Sequence, residues 1–223
     1  MRGGEGTMRT DPSLTFEKAL WQGGLCHIAG LDEAGRGALA GPVAVGAVIL
    51  PNDPTLLSKR KSPDGHLHGV RDSKQMTPLE RESAALRIKQ VALTWSVGFA
   101  SAEEIDSEGI VRATRLAGLR AMQGLSLWPE YLLTDFRLEL PQLDISQTSL
   151  VKGDALCLSI AAASVLAKTA RDDCMRTMEL QVPGYGLGKH KGYGTSAHRL
   201  ALRELGYSPI HRKTFILKES RVA

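Results

Sequence analysis

The chain has 223 residues, 43% of them hydrophobic and 23% charged, which suits one globular domain with a sizeable core and excludes a disordered polymer. Its three cysteines, Cys26, Cys157 and Cys174, are odd in number and far apart. That spacing excludes a disulfide framework and a paired-cysteine zinc or redox motif, and points to a reducing cytoplasm. The net charge of +4 is uneven, with eight basic residues against two acids in residues 181–223, so an acidic core beside a lobe that binds polyanions is expected. No apolar run approaches the roughly 20 residues that span a bilayer and no signal-peptide core is present, so a soluble, non-secreted protein with no membrane partner is expected.

Residues 1–26 lack sustained periodicity and read as a flexible tail. Residues 27–33 read as a short strand, and PVAVGAVIL (42–50) as a second one, closed by Pro51. The stretch GLDEAGRGALAGPV (30–43) lies across them and fits two templates. From Gly35 it matches the G-x-G-x-x-G/A turn of a dinucleotide-binding unit, but that unit needs a helix next, and here a β-branched strand follows. From Asp32 it offers two adjacent acids at a strand end, the start of a metal site. Their side chains alternate on a continuing strand, so a bend near Gly30 or Gly35 is expected to bring both to one side.

Residues 52–72 form a loop rich in proline, glycine and charge. Part of it, SKRKSPDGHLHGV (58–70), carries three adjacent basic residues that read as solvated. Thr77, Pro78 and Glu80 spell a capping box that opens a helix to about Ala92. TWSVGFA (94–100) alternates like a strand, Ser101 with Glu104 caps a short helix, and a longer helix follows over 110–123. YLLTD (131–135) reads as a buried strand ending on an acid. After a Pro-containing loop, SLVKGD leads into one long helix of small residues over 155–180. Residues 182–195 form a glycine-rich loop, and Thr195 caps a last helix through Leu205.

This order implies an α/β fold, a mixed sheet flanked by helices with a small helical C-terminal extension. Asp32, Glu33, Asp135 and Asp154 all stand at element ends. Four such carboxylates would repel one another and raise each other's pKa, so the group calls for cations, with Mg2+ or Mn2+ suited to all-oxygen ligands. Asp172 lies 18 residues after Asp154, on the same helical face but about 27 Å away along a straight helix, and is read as structural.

Taken in order, GLDEAGRGALAGPV, DSK (72–74), KGD (152–154), SIAAASVLAKTARD (159–172) and HKGYGT (190–195) resemble the ribonuclease HII family, the bacterial type 2 ribonucleases H, over about residues 28–215. The resemblance implies a ribonuclease H-like core over 27–180 and a basic substrate-binding extension over 181–223. It implies a monomeric endonuclease that hydrolyses the RNA strand of RNA–DNA hybrids and cuts 5′ of single ribonucleotides embedded in duplex DNA, with two Mn2+ or Mg2+ ions. Carried over by motif, Asp32, Glu33, Asp135 and Asp154 are the catalytic metal ligands. The Gly35-Arg36-Gly37 turn reads the ribonucleotide 2′-hydroxyl, and Tyr193 stacks on the neighbouring deoxyribose. Lys74, Lys189, His190 and Lys191 are further substrate contacts, with surface or structural roles as their alternatives. The chain departs from the family at Phe136, where many relatives carry a small residue, so Asp135 is matched by strand and spacing. Its loop before Asp72 is also longer than expected. The alternatives are a non-catalytic nucleic-acid-binding member of the fold, a nucleotide-cofactor enzyme, and a type 3 ribonuclease H, against which the Gly-Arg-Gly and HKGYGT blocks count.

Overall fold

Valine, alanine and glycine dominate the central strands because both of their faces are covered. The computed structural model describes residues 11–58 and 67–215. Five strands form one sheet: β1 (Ile28–Ala34), β2 (Val43–Ile49), β3 (Thr94–Ala100), β4 (Tyr131–Asp135) and β5 (Ser146–Leu150), in the order β3-β2-β1-β4-β5. The pairs β1–β2 and β2–β3 are antiparallel, whereas β4 runs parallel to β1 and β5 parallel to β4. The helices are α1 (Thr15–Gln22), α2 (Pro78–Val91), α3 (Ala102–Gln123), α4 (Gly153–Leu156), α5 (Leu158–Gln181), α6 (Leu187–His190) and α7 (Ser196–Leu205).

Period-2 alternation sends Ile28, Val48 and Leu133 to one face, where they pack with Ile160, Ala163 and Val165 of α5. Ala29, Leu31, Val45, Ala47 and Leu132 face the other way, onto Ala113, Ala117 and Ala121 of α3. The small residues of α5 let helix and sheet approach closely. A Cβ on Gly30 would lie 2.2 Å from the carbonyl carbon of Ser159, so any side chain there would displace the helix.

Both capping boxes form as expected, at Thr77 with Glu80 and at Ser101 with Glu104, and Thr195 caps α7. The two helices expected over 101–123 are both present within α3, separated at Gly109, whose φ of 78° and ψ of 156° are not helical. The expected tail is a correction. Residues 15–22 form α1, with Leu14 and Trp21 in the core, and Glu17 is buried. Glu17 Oε1 accepts the Ser159 N–H at 2.8 Å and the Cys157 thiol at 3.1 Å, closing the start of α5. Residues 1–10 lie outside the described residues.

The loop after β4 also needs correcting, because SQTSL within it forms β5. It is a polar edge strand, held by backbone pairing and by the Tyr131 to Thr148 side-chain hydrogen bond of 2.8 Å rather than by apolar alternation. The long helix expected over 155–180 is broken at Cys157 (φ −119°, ψ 126°), which separates the short α4 from α5. The glycine-rich loop contains the single turn α6. The C-terminal extension packs onto the core, with Tyr185, Leu187, Ala201 and Leu202 against Ala40 and Met175. Among the described residues, no helix is long and apolar enough to cross a membrane.

Candidate active site

Pairing between the parallel strands β1 and β4 ends at Leu31 opposite Thr134. The next residue on each strand, Asp32 and Asp135, therefore stands at a carboxyl end beside its neighbour, where open α/β sheets place their ligands. One carboxylate oxygen from each of Asp32, Glu33 and Asp135 lies within 4.8 Å of the others. Pleat parity starts Glu33 toward the opposite face, yet its longer side chain joins the group where the pairing to β4 has ended.

Asp32 is buried, and its Oδ1 accepts the Glu33 N–H at 2.8 Å. Asp32 Oδ2 and Glu33 Oε2 are both buried without a hydrogen-bond partner among the described residues. A buried carboxylate oxygen without a donor is costly, and two of them on acids whose carboxylates are grouped fit the ligand set of a hard divalent cation. Burial, then Glu33, Asp135 and Asp154, push Asp32 well above the ordinary carboxylate range, with the Ser164 hydroxyl opposing. Burial also raises Glu33, opposed first by Arg36, whose guanidinium lies 3.7 Å away, and then by Lys74.

Asp154 stands beside this group on α4. Its pKa is raised to about 6 by burial and by Asp72 and Asp135, with Lys74 opposing. The link runs through Asp135, whose Oδ1 accepts the Gly153 N–H at 2.8 Å, and Lys152 takes a left-handed φ of 58° to start α4. Lys74 is pulled down by burial, but Asp32, Asp154, Asp72 and Asp135 outweigh this and hold it above its ordinary value. It is the cation that faces the acids from the turn 73–75.

Two residues here have no role in the motif reading. Asp72 belongs to the quoted DSK block, caps the Lys74 N–H at 2.9 Å and faces Asp154. Ser164 lies in the small-residue run of α5, near enough to Asp32 to lower its pKa, and meets Ser73 Oγ at 2.9 Å, which ties the 72–74 turn to the helix. A buried serine in an apolar helix was the available signal. Asp172 is apart from the acids, accepting from Lys168 at 2.6 Å and Arg81 at 3.4 Å.

The Gly35-Arg36-Gly37 turn follows β1 directly. Gly35 has φ +86°, and a Cβ on it would lie 1.8 Å from Arg171 Nε, so the fold itself requires glycine there. Gly37 is exposed and a Cβ on it would meet nothing within 4 Å, so the fold does not. The carbonyls of Gly35 and Arg36 are taken by Arg212 at 2.8 and 2.9 Å, which leaves Gly37 as the free tip. The HKGYGT loop lies alongside, joined by the Leu39 N–H to Gly192 O bond of 2.8 Å. Tyr193 sits there with Arg171 and Lys168 at 5.4 and 5.5 Å from its ring centre.

His190 stacks on His198 at 4.3 Å, and the main chain engages both of its ring nitrogens, through Tyr185 O at 2.7 Å and Gly192 N–H at 3.2 Å. That geometry fits its structural alternative. Lys189 is exposed, and Lys191 bonds the Gly188 carbonyl. Phe136 is exposed beneath Arg137, 4.9 Å from the ring centre. The basic residues of the 58–70 loop, Lys59, Arg60 and Lys61, lie outside the described residues.

A mixed five-stranded sheet carrying grouped carboxylates at its central strand ends defines a ribonuclease H-like, metal-dependent nuclease. The family model "Ribonuclease HII" matches residues 29–218. A ribonuclease HII of Synechococcus sp. (strain JA-3-3Ab) is 52% identical over 206 residues, covering 92% of this chain and 88% of that one. One from Dehalococcoides mccartyi strain BAV1 is 48% identical over 204 residues, 92% of each chain. Among solved structures, the RNase HII of Archaeoglobus fulgidus, determined in a complex with PCNA, superposes with a TM-score of 0.70 at 25% identity, over 88% of this chain and 98% of that one. The chain belongs to the ribonuclease HII family, metal-dependent endoribonucleases that cleave the RNA strand of RNA–DNA hybrids.

Proposed function

We propose that this protein cuts the phosphodiester 5′ of single ribonucleotides embedded in duplex DNA, as well as within RNA–DNA hybrids, and so removes ribonucleotides from DNA. The observation that carries the reading is that Asp32 and Glu33, whose carboxylates group with that of Asp135, each keep one buried oxygen, Oδ2 and Oε2, without a hydrogen-bond partner among the described residues. Asp32, Glu33, Asp135 and Asp154 are assigned as ligands of two Mg2+ or Mn2+ ions. When bound, such ions supply a lowered pKa for the attacking water and charge relief at the leaving 3′ oxygen.

The chain's own residues do the rest. The Glu33 N–H on β1 orients the Asp32 carboxylate, and the Gly153 N–H orients Asp135. Lys74 contributes positive charge at the mouth of the acid group, suited to a scissile phosphate. Gly37, which the fold leaves free, lets the turn approach the sugar and its 2′-hydroxyl without Cβ interference. Arg36 and the exposed Lys189 face backbone phosphates, and Tyr193 stacks on the deoxyribose that follows the ribonucleotide. The three free cysteines suit a reducing compartment, and we assign the enzyme there as a monomer.

Cleavage of a duplex with one embedded ribonucleotide, assayed with Mg2+, with Mn2+ and in chelator, tests the reading. A cut 5′ of the ribonucleotide that requires the ion is expected. Equal cleavage in chelator, or cleavage of continuous hybrids alone, overturns it.

A further inference from the structure

Two arginines outside the acid group are wholly buried, Arg171 on α5 and Arg212 after α7. Among the described residues neither pairs with a carboxylate; each instead donates to three backbone carbonyls. Arg171 bonds Pro42 O (2.8 Å), Lys191 O (2.9 Å) and Ala40 O (3.2 Å). Arg212 bonds Gly41 O (3.0 Å), Arg36 O (2.9 Å) and Gly35 O (2.8 Å).

All six acceptors lie in two segments, residues 35–42 after β1 and the loop that carries Tyr193. Arg171 alone spans both, its Nε packed against Gly35 and its guanidinium 5.4 Å from the Tyr193 ring centre. Arg212 adds its own main chain, since its N–H donates to Leu39 O at 2.9 Å. Burial pulls both guanidiniums down from their ordinary value, Arg212 to about 9 with Arg171's charge adding to the effect. A guanidinium is not deprotonated inside proteins, so both are buried as cations.

Burying two like charges a short way apart is costly, and apolar side chains would avoid that cost only by leaving six backbone carbonyls without these donors. A guanidinium supplies what they lack, a planar fork of donors with fixed directions. That rigidity has a use only if the relative placement of the two segments matters.

We propose that Arg171 and Arg212 are positioning residues that lock the Gly35–Gly37 turn and the Tyr193 loop into one register. The 2′-hydroxyl and the neighbouring sugar are then read by a single rigid unit. The inference rests on the reading of these two segments as substrate contacts given under Proposed function.

The test uses the full chain with Arg171→Lys and Arg212→Lys, which keep the charge and lose the fork. Amide hydrogen exchange is measured across the protein, with kcat and KM on a single-ribonucleotide duplex and on a continuous hybrid over a Mn2+ titration. Exchange is expected to quicken in 35–39 and 191–194 together while β1 and α5 are unchanged. On the single-ribonucleotide duplex kcat is expected to fall by roughly a hundred-fold, the scale of a small misplacement, with a smaller loss on the continuous hybrid and an unmoved Mn2+ midpoint.

Unchanged exchange in either segment, or equal losses on both substrates, overturns the proposal. A wild-type protein that cuts only continuous hybrids counts against the proposed function, and the exchange result then decides the clamp by itself. Should a lysine variant unfold, the wild type decides. The Nε–H signals of both arginines in a 15N NMR spectrum are expected to be protected from solvent, and to shift together when duplex is added without divalent ion. A shift at one arginine alone overturns the clamp.

Discussion

Asp154 shows how the acid group stores unfavourable charge. Its pKa is raised from 3.8 to about 6 in the folded, ion-free chain. Between those values the folded state holds a proton that the unfolded chain has released. Stability therefore falls as pH rises through that window, and the deficit is complete above about 6. Asp154→Asn is expected to raise the Tm of the chelated protein at pH 7.5, with the gain fading toward pH 4. Melting curves across that range check it, and a Tm lowered at pH 7.5 contradicts it. Gly37 offers the complementary residue-scale test, because among the described residues nothing requires glycine there. Gly37→Ala is expected to leave stability within about 0.5 kcal/mol of the parent. Its cleavage of the single-ribonucleotide duplex should fall by roughly ten-fold or more, since the tip can no longer reach the sugar. Unaltered kinetics would mean that the turn does not read it.

The same scale shows what a sequence carries. Asp32 and Asp135 were legible because each ends an apolar run, and parallel pairing then brings them together. The roles of Arg171 and Arg212 were not. Arg212 counts in the sequence as one more basic residue of the extension, and its acceptor Gly35 is 177 residues away, beyond any local pattern.

At the level of elements, α1 and β5 escaped the pattern for different reasons. An eight-residue helix forms only through what it packs against, and its decisive contact is Glu17 on the start of α5, which no periodicity encodes. In β5 a polar SQTSL run gains its strand geometry from the neighbouring β4 backbone. Burial raises the Cys157 thiol well above its ordinary value, so it remains protonated as a donor to Glu17. Glu17→Ala would strip the Ser159 N–H of its buried acceptor, at a cost of about 1–3 kcal/mol. Glu17→Gln retains an acceptor oxygen and should lose less. Urea unfolding of the two variants decides between this and a passive α1, for which both would match the parent.

For the whole molecule, the extension is part of the folded body. Tyr185, Leu187 and Arg212 are buried against α5 and the 35–42 segment, so truncation after Gln181 would damage the core along with any duplex contact. Point changes at exposed positions separate the two. Each phosphate contact contributes about −0.9 to the log–log salt dependence of duplex affinity, so Lys189→Gln should flatten the slope by about that amount. An unchanged slope would place Lys189 off the duplex. Lys218 and Arg221, counted in the sequence as part of the basic lobe, lie outside the described residues.

The claim on which the rest depends is that the carboxylates at the ends of β1 and β4 form the metal centre that cuts the strand. Asp135→Asn tests it most directly, because it removes one charge from that group, keeps the side chain's shape and retains an oxygen for the Gly153 N–H. Cleavage of a duplex carrying one ribonucleotide should be abolished at saturating Mg2+ or Mn2+, while the melting curve and duplex binding stay close to those of the parent. Retained cleavage with the parent's metal dependence would contradict the account and place the centre on other acids.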